Sequence, residues 1–369
     1  SFFSRAHPRR RLNQSSENYQ TQQQQITTLQ QATIRQLPRQ RNQRRTRRGK
    51  KKKKTFLQTD LQGHVIDPTP GSLFGDSRPT KPSDVIRIES QNINGLPASS
   101  RADKSRKRLY RATSSQGPDV LLLQEINLFW PRLDPEDSWR QRTKGKQLHA
   151  KLAYNRRDQQ SKYKPGGTIT LVTNALVSKI KKGESGVDPV GRWAWIRIGN
   201  NTGKCTTLIS AYRPCRNRGL HTVYNQHLQE LEDDAEPRQK FLDDLGSLVE
   251  ECHERDDSVV VGVDMNQDVR NASIQTWLTA HHLWNPVLEA HGSNGPSTSM
   301  QNTQMKPIDA LFCTMGVTPA ACGYDAFNQT LESDHVSIWA DFHKCDLLEV
   351  NRSLQPSPTD KLDPTDPRR

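Results

Sequence analysis

The stretch DVLLLQE, residues 119–125, is a continuous apolar run that ends on a carboxylate. A short run of this kind, without alternating polar positions, is typical of a strand covered on both faces. The stretch SVVVGVDMN, residues 258–266, has the same form and also ends on polar side chains. Such strands need packed layers above and below their sheet, so they predict a layered α/β domain.

Other segments rich in β-branched and apolar residues extend this pattern along the chain. They are VIRIESQNI (85–93), TITLVTN (168–174), WAWIRIG (193–199), CTTLISAY (205–212), IDALFCT (308–314) and HVSIWADF (335–342). Each has the length of an ordinary strand. The sequence therefore predicts a protein with many strands and fewer helices.

The clearest helical segment is 237–254, which begins at a proline, a residue accepted at the first helical position. Its apolar residues share one face: Phe241, Leu245, Leu248, Val249 and Cys252. Two weaker candidates are 271–283 and the basic segment 101–113. Strands interspersed with helices predict one α/β or α+β domain at residues 83–343.

The segments that flank this domain have the composition of disordered chain. Residues 1–82 are rich in Gln, Arg, Lys and Thr and lead into a Pro/Gly/Ser linker at 68–84, and residues 344–369 form a Pro-rich tail. Residues 1–81 hold 18 Lys/Arg and 4 Asp/Glu, a difference of +14, whereas 82–369 hold 36 of each. With few apolar residues to offset the entropy of ordering, residues 1–82 are predicted to be a disordered basic tail and linker.

The run RRTRRGKKKKK, residues 44–54, concentrates this charge. A solvated, self-repelling tail would explain it, but its single sign favours a nuclear import signal or a nucleic-acid tether. The candidate substrate-binding residues here are Arg44, Arg45, Arg47, Arg48, Lys50 and Lys51. The expected location is intracellular and nuclear, and no protein partner can be deduced.

The six cysteines, at positions 205, 215, 252, 313, 322 and 345, include no C-x-x-C pair. This spacing argues against a zinc ribbon or finger, and a chain this long with its own core does not need a disulfide framework. No apolar run approaches the roughly 20 residues of a membrane span. The first residues also lack the apolar core of a secretory signal.

Several predicted strands meet an unusual polar residue at one end. These residues are Asn92, Asn94, Glu125, Tyr212, Asp264, Asn266, Asp309, Asp334 and His335. Turn chemistry alone explains any single Asn or Asp at a strand end. Glu125 is harder to explain in this way, because a carboxylate next to VLLLQ is expected to be partly buried and to need a cation or hydrogen bonds. Several carboxylates on one rim would repel unless a metal or a cationic group of the substrate compensates. If a metal does so, the oxygen ligands favour Mg²⁺ or Mn²⁺ over zinc.

Taken together, these residues resemble the endonuclease/exonuclease/phosphatase superfamily, the deoxyribonuclease I-like enzymes. The resemblance covers roughly 83–343 and rests on six short motifs in the family's order. They are QNINGL (91–96), LLLQE (121–125), SAYRP (210–214), DMN (264–266), PIDALF (307–312) and SDH (333–335). NINGL, YKPGGTIT (163–170), GRWAWIRI (191–198) and AYRP look most like the endonuclease domains of LINE-type, non-LTR retrotransposons.

The resemblance implies a four-layer α-β-β-α sandwich of two mainly antiparallel sheets, with the active site at one rim. It implies that Glu125 binds a divalent metal, Mg²⁺ or Mn²⁺, with Asn92 beside it and Asp334 near it. Asp264 would orient or deprotonate the attacking water, while Asn266 would help to hold the phosphate and Tyr212 would donate to the phosphate or the leaving oxygen. His335 would contact the scissile phosphate, as an acid/base or an electrostatic stabiliser, and Asp309 would orient it.

Two positions depart from the family's pattern. Val263 stands where Gly usually precedes the Asp of the DxN motif, with Gly262 one position earlier, and we expect the valine to make this strand end bulkier and to alter substrate approach. Asn94, a candidate substrate-binding residue, stands where the abasic-site enzymes usually have Asp, which argues against a dedicated abasic-site repair enzyme. No core catalytic position that can be matched is missing, so an active enzyme is predicted.

The leading hypothesis is a divalent-metal-dependent phosphodiesterase, an endonuclease that nicks DNA and derives from a retroelement. The first alternative is a phosphatase or phosphodiesterase acting on a phosphoinositide, a sphingolipid or a nucleotide, because the same kind of metal site serves all of these. The second is an inactive nucleic-acid-binding relic. Fold-level analogy does not decide between them.

Overall fold

Two large mixed sheets, with helices around them, form an α/β sandwich, as the sequence predicted. The computed structural model describes residues 73–102, 117–200, 203–217, 219, 221–231, 235–301, 306–327 and 331–348, together with 58–59, 65–66, 104 and 107. The predicted helix at 101–113 and the basic residues Arg44, Arg45, Arg47, Arg48, Lys50 and Lys51 fall mainly or wholly outside these residues.

The strands are β1 (Gln58–Thr59), β2 (Val65–Ile66), β3 (Phe74–Gly75), β4 (Val85–Asn92), β5 (Val120–Gln124), β6 (Leu148–Ala153), β7 (Thr168–Thr173), β8 (Ile180–Val187), β9 (Trp193–Gly199), β10 (Cys205–Tyr212), β11 (Ser258–Asp264), β12 (Leu283–Trp284), β13 (Asp309–Thr314), β14 (Ala321–Tyr324) and β15 (Ile338–His343). The α-helices are α1 (Trp139–Arg142), α2 (Val223–Glu230), α3 (Pro237–Glu254), α4 (Ala272–Ala280), α5 (Pro286–His291) and α6 (Lys344–Leu348). Within the described residues, 3₁₀ segments cover Trp130–Arg132, Pro135–Asp137 and Asn174–Lys179.

The seven-stranded sheet has the order β3-β14-β15-β4-β5-β7-β6, and the six-stranded sheet has the order β12-β13-β11-β10-β9-β8. Each contains one parallel pair, β4 with β5 and β10 with β11, and the other pairings in these two sheets are antiparallel. The sheets are therefore mainly antiparallel, with a parallel pair near the middle of each. The short strands β1 and β2 pair separately.

Apolar side chains fill the space between the two sheets. Ile88 and Leu122 from the first sheet share a buried cluster with Leu208 and Val260 from the second. Outside the six-stranded sheet, α3 and α4 cover the other face of the same strands through a second cluster. The predicted helix 237–254 has the bounds of α3, and the candidate at 271–283 contains α4. Because both faces are covered, β5, β10 and β11 are buried along their whole length.

Near one rim, polar contacts replace the apolar packing between the sheets. Gln124, the last residue of β5, has its side-chain amide 3.1 Å from Ser210 Oγ and 3.1 Å from the Gly262 carbonyl oxygen, both in the opposite sheet. Thr170 Oγ1 donates to the Ala194 carbonyl in the same way. A buried amide must find such partners, so these contacts fix the relative position of the two sheets next to the rim.

The last strand differs from its predicted bounds, because β15 begins at Ile338 and not at His335. The preceding residues pair with a loop instead: His335 forms an isolated antiparallel bridge with Ser299, and Val336 N donates to the Thr298 carbonyl at 2.8 Å. His335 is consequently held by a loop contact at the start of the strand.

The folded part extends beyond residues 83–343 at both ends. Within the segment assigned to the tail and linker, β3 pairs with β14, Arg78 forms ion pairs with Glu89 and Asp325, and Lys81 pairs with Asp119 at 2.8 Å. At the other end, α6 packs two buried leucines, Leu347 and Leu348, into the core between the sheets. The Pro/Gly/Ser composition of 68–84 therefore does not make all of this stretch a linker.

Candidate active site at one rim of the sandwich

The polar residues singled out in the sequence meet because of how the strands run. The parallel strands β4 and β5 end at Asn92 and Gln124, which are register partners, and β10 and β11 end at the paired Tyr212 and Asp264. The antiparallel β13 begins at Asp309, opposite Asp264. Carboxyl ends of parallel strands share one edge of a sheet, and the start of an antiparallel neighbour lies at the same edge.

Three residues that follow these strands adopt a left-handed backbone conformation. They are Asn94 (φ +44°), Glu125 (φ +51°) and Asn266 (φ +47°). Asparagine tolerates this conformation, but for glutamate it is uncommon and costs about 1 kcal/mol or more. The fold accepts this strain at Glu125, where the chain turns at the rim.

His335 and Asp309 form the most buried ion pair of the site. His335 Nδ1 lies 2.8 Å from Asp309 Oδ2, and their side chains are 10% and 4% exposed. Burial disfavours the charged imidazole, but the adjacent Asp309 carboxylate outweighs it and raises the pKa of His335 to about 10. Ser333 Oγ supports the histidine by accepting from its backbone N–H at 3.2 Å and donating to the Asn92 carbonyl.

Asp264 lies beside this pair and is held by amides. Asn92 Nδ2 donates to its Oδ2 at 2.8 Å, and the Asn266 backbone N–H donates to its Oδ1 at 2.8 Å. Burial and the nearby Asp309 carboxylate raise the pKa of Asp264 to about 8. Suitable ligand atoms of Asp264, Asp309 and His335 all lie within 4.8 Å of one another. This places two acids and one base in a single buried cluster.

Glu125 and Tyr212 make a second pair at the rim. The Tyr212 hydroxyl donates to Glu125 Oε1 through a short hydrogen bond. Burial and the charge of Glu125 raise the pKa of Tyr212 well above its usual value, so the phenol keeps its proton at neutral pH. Tyr212 is thus a hydrogen-bond donor in this site.

Asn94 and Asp334 lie at the outer edge of the same site. Asn94 Nδ2 donates to Asp334 Oδ1 at 3.1 Å, and Gln301 Nε2 donates to Asp334 Oδ2 at 2.6 Å. Both carboxylate oxygens of Asp334 therefore already accept hydrogen bonds. Its assignment as a metal-site residue remains a prediction.

These side chains surround one cavity of about 570 Å³. The predicted residues that line it are Asn92, Asn94, Glu125, Asp264, Asn266, Asp334 and His335. Asp309 lies behind His335, while Tyr212 lines an adjoining cavity of about 490 Å³ that shares Glu125 and Cys215 with the first. All of these strand-end residues except Asp309 therefore line one of the two adjoining cavities, which together form the groove.

Other residues of the groove were missed from the sequence. Cys215, Gln267, Asp268, Ser299, Gln301 and Lys306 also line the main cavity. Most belong to loops whose sequences carry no pattern that places them near the strand ends. Lys306 had a usable signal, because this cation immediately precedes the PIDALF motif and lies among carboxylates.

The expectation for Val263 was wrong. Its side chain is fully buried among the residues that pack on α3, with Phe241 and Leu245, and it does not line the cavity. Side chains alternate along a strand, so the residue before Asp264 faces the opposite side of the sheet. It is Gly262 that faces the other sheet, where an added Cβ would lie 2.5 Å from Ser90 Oγ and 2.7 Å from Leu122 Cδ1.

The oxygen-rich groove fits a hard divalent cation. Glu125 projects its carboxylate into a cavity that is lined by further carboxylates and amides. Mg²⁺ is commonly held by one or two carboxylates together with waters and substrate phosphate oxygens. The Glu125 carboxylate, with the Asn92 side chain beside it, is therefore a suitable set of protein ligands for this ion. The buried pair of His335 and Asp309 is engaged in its own hydrogen bond and does not supply this site.

A sequence profile of the Endonuclease/Exonuclease/phosphatase family matches residues 90–335. No curated protein matches the chain. Similar solved structures include AP endonuclease LMAP from Leishmania major, with TM-score 0.53 and 14% identity, covering 71% of this chain and 88% of that one. The Xenopus laevis APE2 catalytic domain has a TM-score of 0.49 and 15% identity, covering 70% of this chain and 92% of that one. The endonuclease domain of TRAS1, a telomere-specific non-LTR retrotransposon, has a TM-score of 0.42 and 12% identity, covering 70% of this chain and 98% of that one. At these identities the likeness to LMAP supports the fold alone.

No helix in the described part of the chain is both long enough and apolar enough to cross a membrane.

Proposed function

Because the chain belongs to the endonuclease/exonuclease/phosphatase family, whose members hydrolyse phosphodiester or phosphate bonds, we propose that it is a divalent-metal-dependent endonuclease that nicks DNA and derives from a retroelement. The observation that carries the proposal is the groove where four strand ends converge. Glu125, Asp264 and His335 line one cavity of about 570 Å³, and Asp309 holds His335 from behind.

Each residue of the groove has a proposed part in phosphodiester hydrolysis. Asp309 holds Nδ1 of His335, which leaves Nε2 of the ring to donate to an oxygen of the scissile phosphate. Asp264, oriented by Asn92 and the Asn266 backbone, accepts a proton from the attacking water. Tyr212 turns its hydroxyl from Glu125 to donate to the phosphate or the leaving oxygen, and Asn266 helps to hold the phosphate.

Glu125, with Asn92 beside it and Asp334 near the outer edge, would hold the metal. A bound Mg²⁺ or Mn²⁺ supplies positive charge that offsets the negative charge gathered on the phosphate oxygens. Without such a cation, several carboxylates around one groove would repel an anionic substrate. DNA is the proposed partner because the motif set looks most like that of retrotransposon endonucleases, and a nuclear location is part of the same proposal.

Nicking of a supercoiled plasmid tests the proposal directly. We expect open-circular product with Mg²⁺ and none with EDTA, and we expect His335→Ala and Glu125→Gln each to lower the rate by about 10²–10⁴-fold. Matched controls are His149→Ala and Glu254→Gln, two exposed positions on β6 and α3 outside the groove. Both controls should nick at the wild-type rate.

Two results would overturn the proposal. If the plasmid stays supercoiled while small phosphoesters turn over, the phosphatase alternative is correct. If nicking survives both groove substitutions, the activity does not come from the groove, and if neither substrate turns over, the chain is an inactive relic.

A further inference from the structure

A second cluster of potential ligands lies outside the groove, at the β3 edge of the seven-stranded sheet. It consists of Asp76, just after β3, His291, the last residue of α5, and Cys322 on β14. One ligand atom from each lies within 4.8 Å of the other two. Three separate segments of the chain therefore bring a carboxylate, an imidazole and a thiol together at one point.

The distances from His291 to the other two residues of this cluster can be compared with ordinary hydrogen bonds. His291 Nε2 lies 3.5 Å from Asp76 Oδ2 and 3.8 Å from Cys322 Sγ. An N–H···O hydrogen bond is normally about 2.7–3.2 Å long, and the His335–Asp309 pair of this same protein is 2.8 Å. The Asp76–His291 contact is therefore longer than an ordinary hydrogen bond, while the contact of His291 with the larger sulfur atom of Cys322 is within hydrogen-bond range.

The two distances from His291 Nε2 are close to those between two ligand atoms of one tetrahedral zinc ion. With zinc–sulfur bonds of about 2.3 Å and zinc–nitrogen and zinc–oxygen bonds of about 2.0–2.1 Å, tetrahedral angles put sulfur and nitrogen about 3.6 Å apart and nitrogen and oxygen about 3.3 Å apart. The observed distances exceed these by only a few tenths of an ångström. Sulfur, nitrogen and carboxylate oxygen are also the ligand atoms that zinc takes in proteins.

The backbone around the cluster is packed closely enough to hold it in place. A Cβ on Gly75 would lie 2.7 Å from the Cys322 carbonyl oxygen and 3.1 Å from His291 Cδ2, so only glycine lets β3 approach this near. The Cys322 backbone N–H also donates to Asp76 Oδ2 at 2.9 Å. Asp76 is 44% exposed and His291 is 22% exposed, so an ion can enter from solvent.

We propose that Asp76, His291 and Cys322 bind one zinc ion, which fastens residues 73–76 to the edge of the seven-stranded sheet. A water molecule completes the four ligands. On binding, the Cys322 thiol loses its proton to solvent and Zn²⁺ takes the thiolate, while His291 coordinates as a neutral imidazole through Nε2.

Cobalt substitution tests this site separately from the groove. The full chain carrying Cys215→Ser is used, because Cys215 is the thiol that lines the groove, and Mg²⁺ in excess occupies the oxygen ligands there. After chelation and titration with Co²⁺, we expect a thiolate-to-cobalt charge-transfer band and tetrahedral visible bands that saturate at one equivalent. Zn²⁺ should abolish both and should raise the melting temperature above that in EDTA.

Adding Cys322→Ser or His291→Gln should remove the bands and the zinc-dependent rise in melting temperature, whereas Cys345→Ser on α6 should leave both unchanged. Absence of the thiolate band from the Cys215→Ser protein, or its survival in the added Cys322→Ser variant, overturns the site. If Cys322→Ser does not fold, His291→Gln and Asp76→Asn decide, because both residues reach the surface. Plasmid nicking is not the readout, so failure here leaves the proposed function untouched.

Discussion

At the scale of single residues, His227 shows what burial does to a titrating group. It lies on α2, is 2% exposed, and has its pKa lowered to about 3 by burial and then by the charge of Arg192. Above about pH 6.5 the ring is neutral in both the folded and the unfolded chain. Below that pH only the unfolded chain takes up the proton, so its contribution to stability is lost as the pH falls from 6.5 toward 3.

We therefore expect the free energy of unfolding to fall more steeply with acid in the wild type than in His227→Gln. The excess slope should approach about 1.4 kcal/mol per pH unit below pH 6. Urea unfolding at pH 7, 6 and 5 measures it. His221→Gln, an exposed histidine just before the same helix, is the control and should follow the wild-type curve. Parallel curves for His227→Gln and the wild type would contradict the burial argument.

The residues that carry charge or hydrogen-bond chemistry at strand ends could be predicted from the sequence. His335 and Asp309 are 26 positions apart, yet each stands beside an apolar run, and the sheet brings them to 2.8 Å. Gln124 and Ser333 lie inside the same motifs, but the motifs alone assign them no role. Their function depends on which backbone groups lie opposite them, which follows from the packing of two sheets and not from local pattern.

At the scale of elements, the interior strands other than the short β14 were predicted, and the edge strands were not. β5 and β11 are buried throughout, so their sequences are continuously apolar. The edge strands β6 and β8 are largely half-exposed, and β8 contains two glycines and a register shift between Ile180 and Ser185. A strand with one partner and one open side does not need an apolar sequence, so periodicity does not reveal it.

Helix α3 permits a matched test of the packing on the six-stranded sheet. Leu245 is 1% exposed and lies in the cluster with Phe241 and Val261, whereas Leu248, one turn away on the predicted apolar face, is only half-buried. We expect Leu245→Ala to lower the free energy of unfolding by about 2–5 kcal/mol, because the cavity it leaves cannot refill. Leu248→Ala should cost about 1 kcal/mol.

Urea titrations of the two leucine variants at pH 7 measure the difference, with unchanged slopes showing that the unfolded state is the same. Equal losses for Leu245→Ala and Leu248→Ala would mean that α3 does not present this face to the sheet. Both variants replace leucine by alanine within the same helix, so the change in helix propensity is the same in each and cancels in the comparison.

At the scale of the whole molecule, charge is distributed very unevenly. Residues 1–56 hold 16 Lys/Arg and one Asp/Glu, a difference of +15, whereas 57–369 hold 38 and 39, a difference of −1. The part of the chain that contains the groove thus has almost no net attraction for a polyanion. If the protein acts on DNA as proposed, the N-terminal basic residues supply the sequence-independent part of the binding.

Deleting residues 1–56 tests whether the N-terminal basic residues supply this part of the DNA binding. The deletion keeps Phe74, Asp76 and Arg78, which contact the folded part. We expect DNA affinity to fall and the plot of log affinity against log salt to flatten, by about 0.9 in slope for each phosphate that the shortened chain no longer neutralises. Fluorescence anisotropy with a labelled duplex at several salt concentrations measures both.

Deleting 355–369, which holds three Lys/Arg and three Asp/Glu, is the matched control and should leave the slope unchanged. A slope that stays at the full-chain value after removal of 1–56 would show that the groove and its surroundings bind the phosphates unaided, and that the basic run from Arg44 to Lys54 is no tether.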